Sequence, residues 1–230
     1  MPVAIVTGAS RGFGRALATD LADSGWGLVI DGRNAGSLGA VAERLQALGG
    51  PVRPVVGDVV DPDHRARLVA EATGLGGLDL LVNNASELGP SPLPTLEQFP
   101  LDALRTVYEV NVVAPLALLQ LALPLLRRSG GVVVSLSSDA AVEAYEGWGG
   151  YGSSKAAVDQ LHRVLAVEEP KLQIYQFDPG DMRTDMHQAA FPGEDISDRP
   201  EPESVVPALR RLLRSGAPSG RYRAADGVRS

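Results

Sequence analysis

Residues 3–14 read VAIVTGASRGFG. The opening run VAIV is apolar without alternation and short, which suits a strand buried on both faces. Glycines follow at 8, 12 and 14 in the spacing G-x-x-x-G-x-G, with Ser10, Arg11 and Phe13 between them, and a helical pattern runs over 12–24. Small residues let the backbone turn tightly and come close to a ligand. The helix that follows directs its free N–H groups and positive dipole end at that ligand, so the ligand is read as an anion, the pyrophosphate of a dinucleotide. A ligand-free glycine turn would use the same spacing. The strand before it, the helix after it and its place at the start of the chain favour the nucleotide.

Outward from this unit the same alternation repeats. Strand-like runs occupy 27–31, 52–56, 79–82, 132–136 and 172–177, and helical patterns lie near 35–48, 61–73, 101–128, 151–168 and 203–214. Repeated strand–helix–strand units predict an α/β fold, a doubly wound parallel sheet of Rossmann type with helices on both faces. With 230 residues and 44% hydrophobic content, residues 1–230 are expected to form one domain around one sizeable core. The stretch 186–203, MHQAAFPGEDISDRPEPE, carries three prolines and five acidic residues and reads as a substrate loop. In such sheets ligands bind where loops gather at the carboxyl ends of the strands.

Composition removes several function classes. The net charge of −7 and the lack of a basic stripe argue against nucleic acid or an anionic membrane as partner. The absence of cysteine excludes disulfides, thiolate chemistry and Cys-ligated metal sites. His64, His162 and His187 show no metal-ligand spacing, so no catalytic metal is expected. The N-terminus lacks a signal-peptide pattern, and the apolar stretch 112–126 reads as a buried helix too short to span a bilayer. A cytoplasmic location is the expectation.

Around the end of the second strand, 29–34 reads VIDGRN. An acid at this strand tip bonds the ribose 2′-OH of NAD, whereas an arginine accommodates the 2′-phosphate of NADP. Both signals are present. Arg33 lies just past the strand and Arg11 inside the glycine turn, and two guanidiniums can each form a forked hydrogen bond with one dianion. Asp31 is the competing signal. NADP(H) is favoured over NAD(H).

At 151–155, YGSSK places Tyr151 and Lys155 four residues apart on a helix whose Ala156, Val158, Leu161, Val164 and Leu165 look built for burial. Residues i and i+4 share a helix face. A cation beside a phenol favours the phenolate, so the pair reads as a tuned acid/base set for hydride exchange at a carbonyl or carbinol carbon. An isolated Y-x-x-x-K is more often a helix-start tyrosine with a solvated lysine. Ser138, at the end of VVVSLSS and with twelve residues between it and Tyr151, supplies a hydroxyl that can donate to the substrate oxygen. Its neighbour Ser137 is the other possible donor.

TGASRGFG, NNA at 83–85, Asn111, Ser138, YGSSK and DPGDMRT at 178–184 together resemble the short-chain dehydrogenase/reductase family, in order over residues 3–184. The resemblance implies a seven-stranded Rossmann-type sheet and a nicotinamide cofactor. It carries pyrophosphate binding onto Gly8, Gly12 and Gly14, and adenine contact onto Asp58 with Val59 beside it. It implies that Asn84 steadies the sheet near the cofactor, that Thr184 holds the carboxamide, and that Pro179 and Gly180 face the nicotinamide. It selects Ser138 over Ser137, leaving Ser137 to cap or bond backbone, and makes Asn111 the holder of a water linked to Lys155. It aligns Gly32 with the NAD-selecting acid and Arg33 with the next position. A homodimer or homotetramer is implied too. Two departures stand out: Ser86 replaces the family's glycine after NNA, and the ending 220–230, GRYRAADGVRS, lacks the family's glycine-rich finish, which puts the last strand in doubt.

The expected function is an NADP(H)-dependent oxidoreductase acting on a small or medium carbonyl or alcohol. The alternatives are an NAD-dependent alcohol dehydrogenase using Asp31 and a non-catalytic dinucleotide-binding sensor or scaffold. Tyr145, Trp148, Met186, His187 and Phe191 are candidate pocket residues, with a solvated surface as the plainer reading of His187.

Overall fold

The computed structural model describes residues 1–226. Strands are β1 (Val3–Val6), β2 (Gly27–Gly32), β3 (Val52–Val56), β4 (Leu80–Asn83), β5 (Val132–Leu136), β6 (Gln173–Asp178) and β7 (Gly220–Arg223). Helices are α1 (Gly12–Asp23), α2 (Ala35–Gln46), α3 (Pro62–Gly74), α4 (Leu101–Tyr108), α5 (Ala114–Ser129), α6 (Gly149–Glu168), α7 (Asp185–Ala190) and α8 (Pro202–Ser215). All strand pairs are parallel and the order is β3-β2-β1-β4-β5-β6-β7. The order reverses between β1 and β4, the switch point where such sheets open a crevice at their carboxyl ends.

The run VAIV is apolar throughout because successive residues face opposite layers. Ala4 and Val6 join Leu17, Leu21, Ile30, Leu38, Phe177 and Leu209 on the face covered by α1, α2 and α8. Val3 and Ile5 join Val29, Leu68, Leu81, Leu118, Leu126 and Val133 on the face covered by α3, α5 and α6. Each central strand therefore has two buried sides, and the polar residues on them, such as Asp31, Asn83 and Ser135, are buried with hydrogen-bond partners.

Four local features differ from the sequence reading. The helix expected over 101–128 forms as one continuous run, but it carries a π turn at Glu109–Val113 between α4 and α5. From Leu101 to Ser129 this helical run is long and apolar enough to cross a membrane by composition, not too short as expected. Here Leu118, Leu119, Ala122 and Leu126 are buried against the sheet. The loop expected at 186–203 opens with α7, which the Thr184 hydroxyl caps by accepting from His187 N at 3.2 Å. The doubtful last strand forms: β7 pairs with β6, Tyr222 opposite Phe177. Residues 227–230 of the atypical ending lie outside the described residues.

Candidate active site

The ends of β1 and β4 are laced together under the glycine turn. Asn84 Nδ2 donates to the carbonyls of Thr7 at 2.7 Å and Gly8 at 3.1 Å, and Thr7 Oγ1 accepts from the backbone of Asn84 and Ala85, each at 3.0 Å. Gly8 and Gly12 have φ of +65° and +55°, a region that favours glycine. A Cβ at Gly14 would lie 2.4 Å from Asn84 Nδ2 and 2.6 Å from Gly8 O. The glycines thus let backbone approach backbone. Arg11, at the N-cap of α1, is extended and supplies no side-chain cap, and no acid occupies the first helical turn. The first N–H groups of α1 are therefore left for another acceptor, and the residues present fit a pyrophosphate. A Cβ at Gly12 would lie 3.6 Å from the Thr184 methyl, so Thr184 faces the turn. Gly180, with φ of +73°, meets only open space.

Asp31 does not reach the surface. Its carboxylate accepts from Gly8 N at 2.5 Å and pairs with His64 Nε2 at 2.9 Å, and both side chains are buried. This corrects the reading of Asp31 as a ribose ligand: the carboxylate supports the turn from below. The strand tip proper is Gly32, where a Cβ would lie 3.1 Å from Ser10 Cβ. Arg33 is exposed. Arg11 is exposed too and pairs with Asp185 at 2.9 Å. Such an exposed pair is weak, and Arg11 can leave it at little cost. Asp58 Oδ1 accepts from Val60 N at 3.1 Å, and Val59 O accepts from Arg65 Nη1 at 2.6 Å.

α6 carries Tyr151 and Lys155 on one inward face, both buried. Lys155 Nζ lies 5.4 Å from the Tyr151 ring centroid and donates to Leu136 O at 2.8 Å. Burial pulls its pKa down to about 8, against the opposing pull of Asp159. The phenol moves the other way from the sequence expectation. Burial, then the anions of Asp178 and Asp139, raise the Tyr151 pKa well above the usual value, and only a hydrogen bond with Ser86 opposes them. The lysine charge therefore does not make Tyr151 a phenolate here, and the side chain holds its proton at neutral pH.

The π turn delivers Asn111 to this site. A single residue added to a helical turn reorients the side chain there, and Asn111 is buried. Its Oδ1 accepts from Glu87 N at 2.7 Å and Ser86 Oγ at 3.1 Å, and its Nδ2 donates to Glu87 O at 2.8 Å and Ser154 Oγ at 2.9 Å. The amide thus braces the segment after β4 against α6. Ser86, singled out as a departure, sits between Asn111 and the phenol.

Ser138 and Ser137 both line the cleft beside Tyr151. Ser138 Oγ donates to Asp139 Oδ1 at 2.9 Å and caps the following turn by accepting from Ala140 N at 3.2 Å. Ser137 neither caps nor bonds backbone through its side chain, as had been expected. Its hydroxyl donates to the buried Asp159 carboxylate at 2.7 Å. Asp159 was not anticipated, although it stands four residues past Lys155 on the same face, and that spacing was a readable signal. Arg221, which contacts Ser138 and Asp159, had no sequence signal.

The cleft is open to solvent on one side, and the empty space in and over it amounts to about 570 Å³. Pro179, Gly180 and Thr184 line one part, and Leu88, Trp148, Met186 and His187 another. An aromatic row runs along it, with ring centroids 5.7 Å apart for Tyr151–Trp148, 5.9 Å for Trp148–Phe191 and 4.9 Å for Phe191–His187. Tyr145 stands outside, exposed, with its hydroxyl on Glu143 at 2.8 Å and Asp139 at 3.1 Å. His187 is buried, which corrects its surface reading. Its Nδ1 lies 3.7 Å from Asp181, and its Nε2 has no partner among the described residues. No group of three or more His, Asp or Glu among the described residues could hold a metal.

The sequence model for short chain dehydrogenases matches residues 2–195. Mouse (Mus musculus) sepiapterin reductase is 34% identical over 221 residues, covering 90% of this chain and 84% of the relative. An alcohol dehydrogenase from the archaeon Thermococcus sibiricus, solved with 5-hydroxy-NADP, superposes with a TM-score of 0.87 at 28% identity, over 97% of this chain and 95% of that one. A short chain dehydrogenase from Shigella flexneri, solved with NADP, gives 0.90 at 28% identity over 97% of each. With the switch-point crevice and the glycine turn at its mouth, these matches show that the chain belongs to the short-chain dehydrogenase/reductase family, oxidoreductases that bind a nicotinamide dinucleotide.

Proposed function

We propose that this protein is an NADP(H)-dependent carbonyl reductase in which Tyr151 is the proton donor. The observation that carries the reading is a buried phenol, held in its acid form, lining one cleft with Ser138, Pro179, Gly180 and Thr184. A bound nicotinamide dinucleotide supplies the hydride. The glycine turn and the uncapped N-terminus of α1 hold the pyrophosphate, and Thr184 takes the carboxamide. Ser138 and Tyr151 grip the carbonyl oxygen. As that oxygen gains charge, Tyr151 passes it the phenolic proton, and Ser138 donates a second hydrogen bond. Lys155 keeps a positive charge near the resulting phenolate, and Asn111 holds the water that links Lys155 to solvent. The reverse reaction needs the phenolate, which burial disfavours, so reduction is the direction the site favours near neutral pH.

The NADP(H) preference rests on the strand tip. Gly32 offers no carboxylate, Asp31 is engaged with Gly8 and His64, and Arg33 and Arg11 are exposed beside the turn. The NADP and 5-hydroxy-NADP complexes of two structural relatives agree with this. The substrate reading is a small or medium carbonyl compound. The aromatic row suits an apolar or aromatic body, and Nε2 of His187, without a partner among the described residues, suits a second polar group on it. A cytoplasmic homodimer or homotetramer acting on such a molecule completes the proposal.

Steady-state assays over a carbonyl and alcohol panel with both cofactors test it. Tyr151→Phe should lose turnover by 10²-fold or more, on the order expected for a general acid, while NADPH still binds. Retained turnover would refute the proton role. Arg33→Ala should weaken NADPH far more than NADH, and equal losses would overturn the cofactor preference.

A further inference from the structure

β7 brings an arginine into the site from the end of the chain. Arg221 Nη2 donates to the carbonyl of Ser138 at 2.8 Å and to Asp178 Oδ2 at 2.7 Å, and its Nε lies 3.4 Å from Asp159 Oδ2. Both carboxylates are almost fully buried at 3% side-chain exposure, and the arginine is largely so at 15%. One guanidinium therefore ties together the end of β5, the end of β6 and α6. These are the elements that carry Ser138, the Pro179–Gly180 turn and Tyr151. Asp159 extends the Tyr151, Lys155 ladder by one more turn and receives the Ser137 hydroxyl at 2.7 Å. Planar, permanently charged arginine suits this three-way contact, since its fork can serve a carbonyl and a carboxylate at once.

We infer that Arg221 is a positioning residue for the Ser138–Tyr151 pair, fixing the Ser138 backbone, holding Asp159 of α6, and cancelling the negative charge that Asp178 directs at the phenol. The inference rests on the reading of Tyr151 as the proton donor. Charged groups face this region from every side. Asp178 comes from β6, Asp139 from the turn after β5, Lys155, Asp159 and Arg163 from α6, and Arg223 from β7. Asp178 and Asp139 both favour the protonated phenol. Arg223 approaches Asp178 only to 3.7 Å and is 47% exposed, so it cannot replace Arg221. With Arg221 neutralised, the uncancelled anions hold the phenolic proton to higher pH.

Alcohol oxidation reads this directly, because its rate rises with pH as the phenol ionises. Arg221→Gln should move that limb upward by about one pH unit, the scale of a nearby-charge effect. It should lower kcat by on the order of tenfold, as misplacement of a reacting group does, with KM for the oxidised cofactor, NADP+, within about twofold of wild type. Arg221→Lys, which keeps the charge without the fork, should return the limb and recover only part of kcat. Asp178→Asn removes the anion itself, so its limb should move downward, a readout that survives if Arg221→Gln fails to fold. A uniform loss of rate with an unmoved limb in both variants would overturn the inference and leave Arg221 as a packing contact. If Tyr151→Phe is inactive while these limbs stay fixed, only this inference fails. If Tyr151→Phe keeps its turnover, the proton-donor reading fails and takes this inference with it.

Discussion

Ser86 has one hydroxyl proton and two claims on it. Asn111 Oδ1 lies 3.1 Å away, and the Tyr151 oxygen is also within hydrogen-bond reach. While the phenol keeps its proton, Ser86 can donate to Asn111. Once the proton leaves, the serine can turn to the phenolate, where a charge-assisted bond is stronger. Ser86→Gly, the family's own residue, should therefore raise the proton affinity of Tyr151. The pH limb for alcohol oxidation should move upward and oxidation at neutral pH should slow by roughly three- to tenfold, within the range of a hydrogen bond to a charged group. Carbonyl reduction should change less. An unmoved limb in a pH-rate comparison with wild type would show that Ser86 does not serve the phenolate. Ser86 was visible in the sequence as a departure. Its partner was not, because Asn111 stands 25 positions away and a π turn aims its side chain.

At the scale of elements, the fit of β1, the glycine turn and α1 against β4 carries the site. Gly14 is inside α1, where alanine is normally the better helix former by up to about 1 kcal/mol. Here the sign reverses. A methyl group would lie 2.4 Å from Asn84 Nδ2 and 2.6 Å from Gly8 O, and the second of these is backbone that cannot swing away. Gly14→Ala should destabilise the fold by about 1–3 kcal/mol, as overpacking does. It should also weaken NADPH binding at least tenfold, since relief of the clash shifts the turn. Denaturant unfolding and a fluorescence titration check the two effects separately. The glycine spacing predicted a close approach correctly in kind. It did not show that Gly14 opens space for Asn84 rather than for the ligand. Helix α7 was missed at this scale, because three prolines and five acids read as loop while the Thr184 cap and the buried His187 were tertiary facts.

Across the whole molecule, a cation is buried in the middle of the site. Lys155 is 4% exposed, and burial brings its pKa from 10.5 to about 8. Below pH 8 the folded protein carries the full penalty of a buried charge. Between pH 8 and 10.5 the unfolded chain binds more protons than the folded one, so this group's contribution to stability rises with pH. Lys155→Met removes the penalty. Its stability advantage over wild type should be largest near pH 7, on the order of 3 kcal/mol from the shift, and should shrink towards pH 10. Urea unfolding at both values tests this, and an advantage independent of pH would contradict it. The sequence by itself determined the layered α/β fold and the nucleotide end of the site, because both are local: strand and helix periods repeat within a few residues, and the glycine turn is contiguous. Tertiary structure alone decided the electrostatics. Whether Asp31 faces a ribose or His64, whether Tyr151 keeps its proton, and whether the chain's last strand supplies Arg221 all depend on burial and on charges brought together from distant segments. Pattern along one chain does not encode those distances.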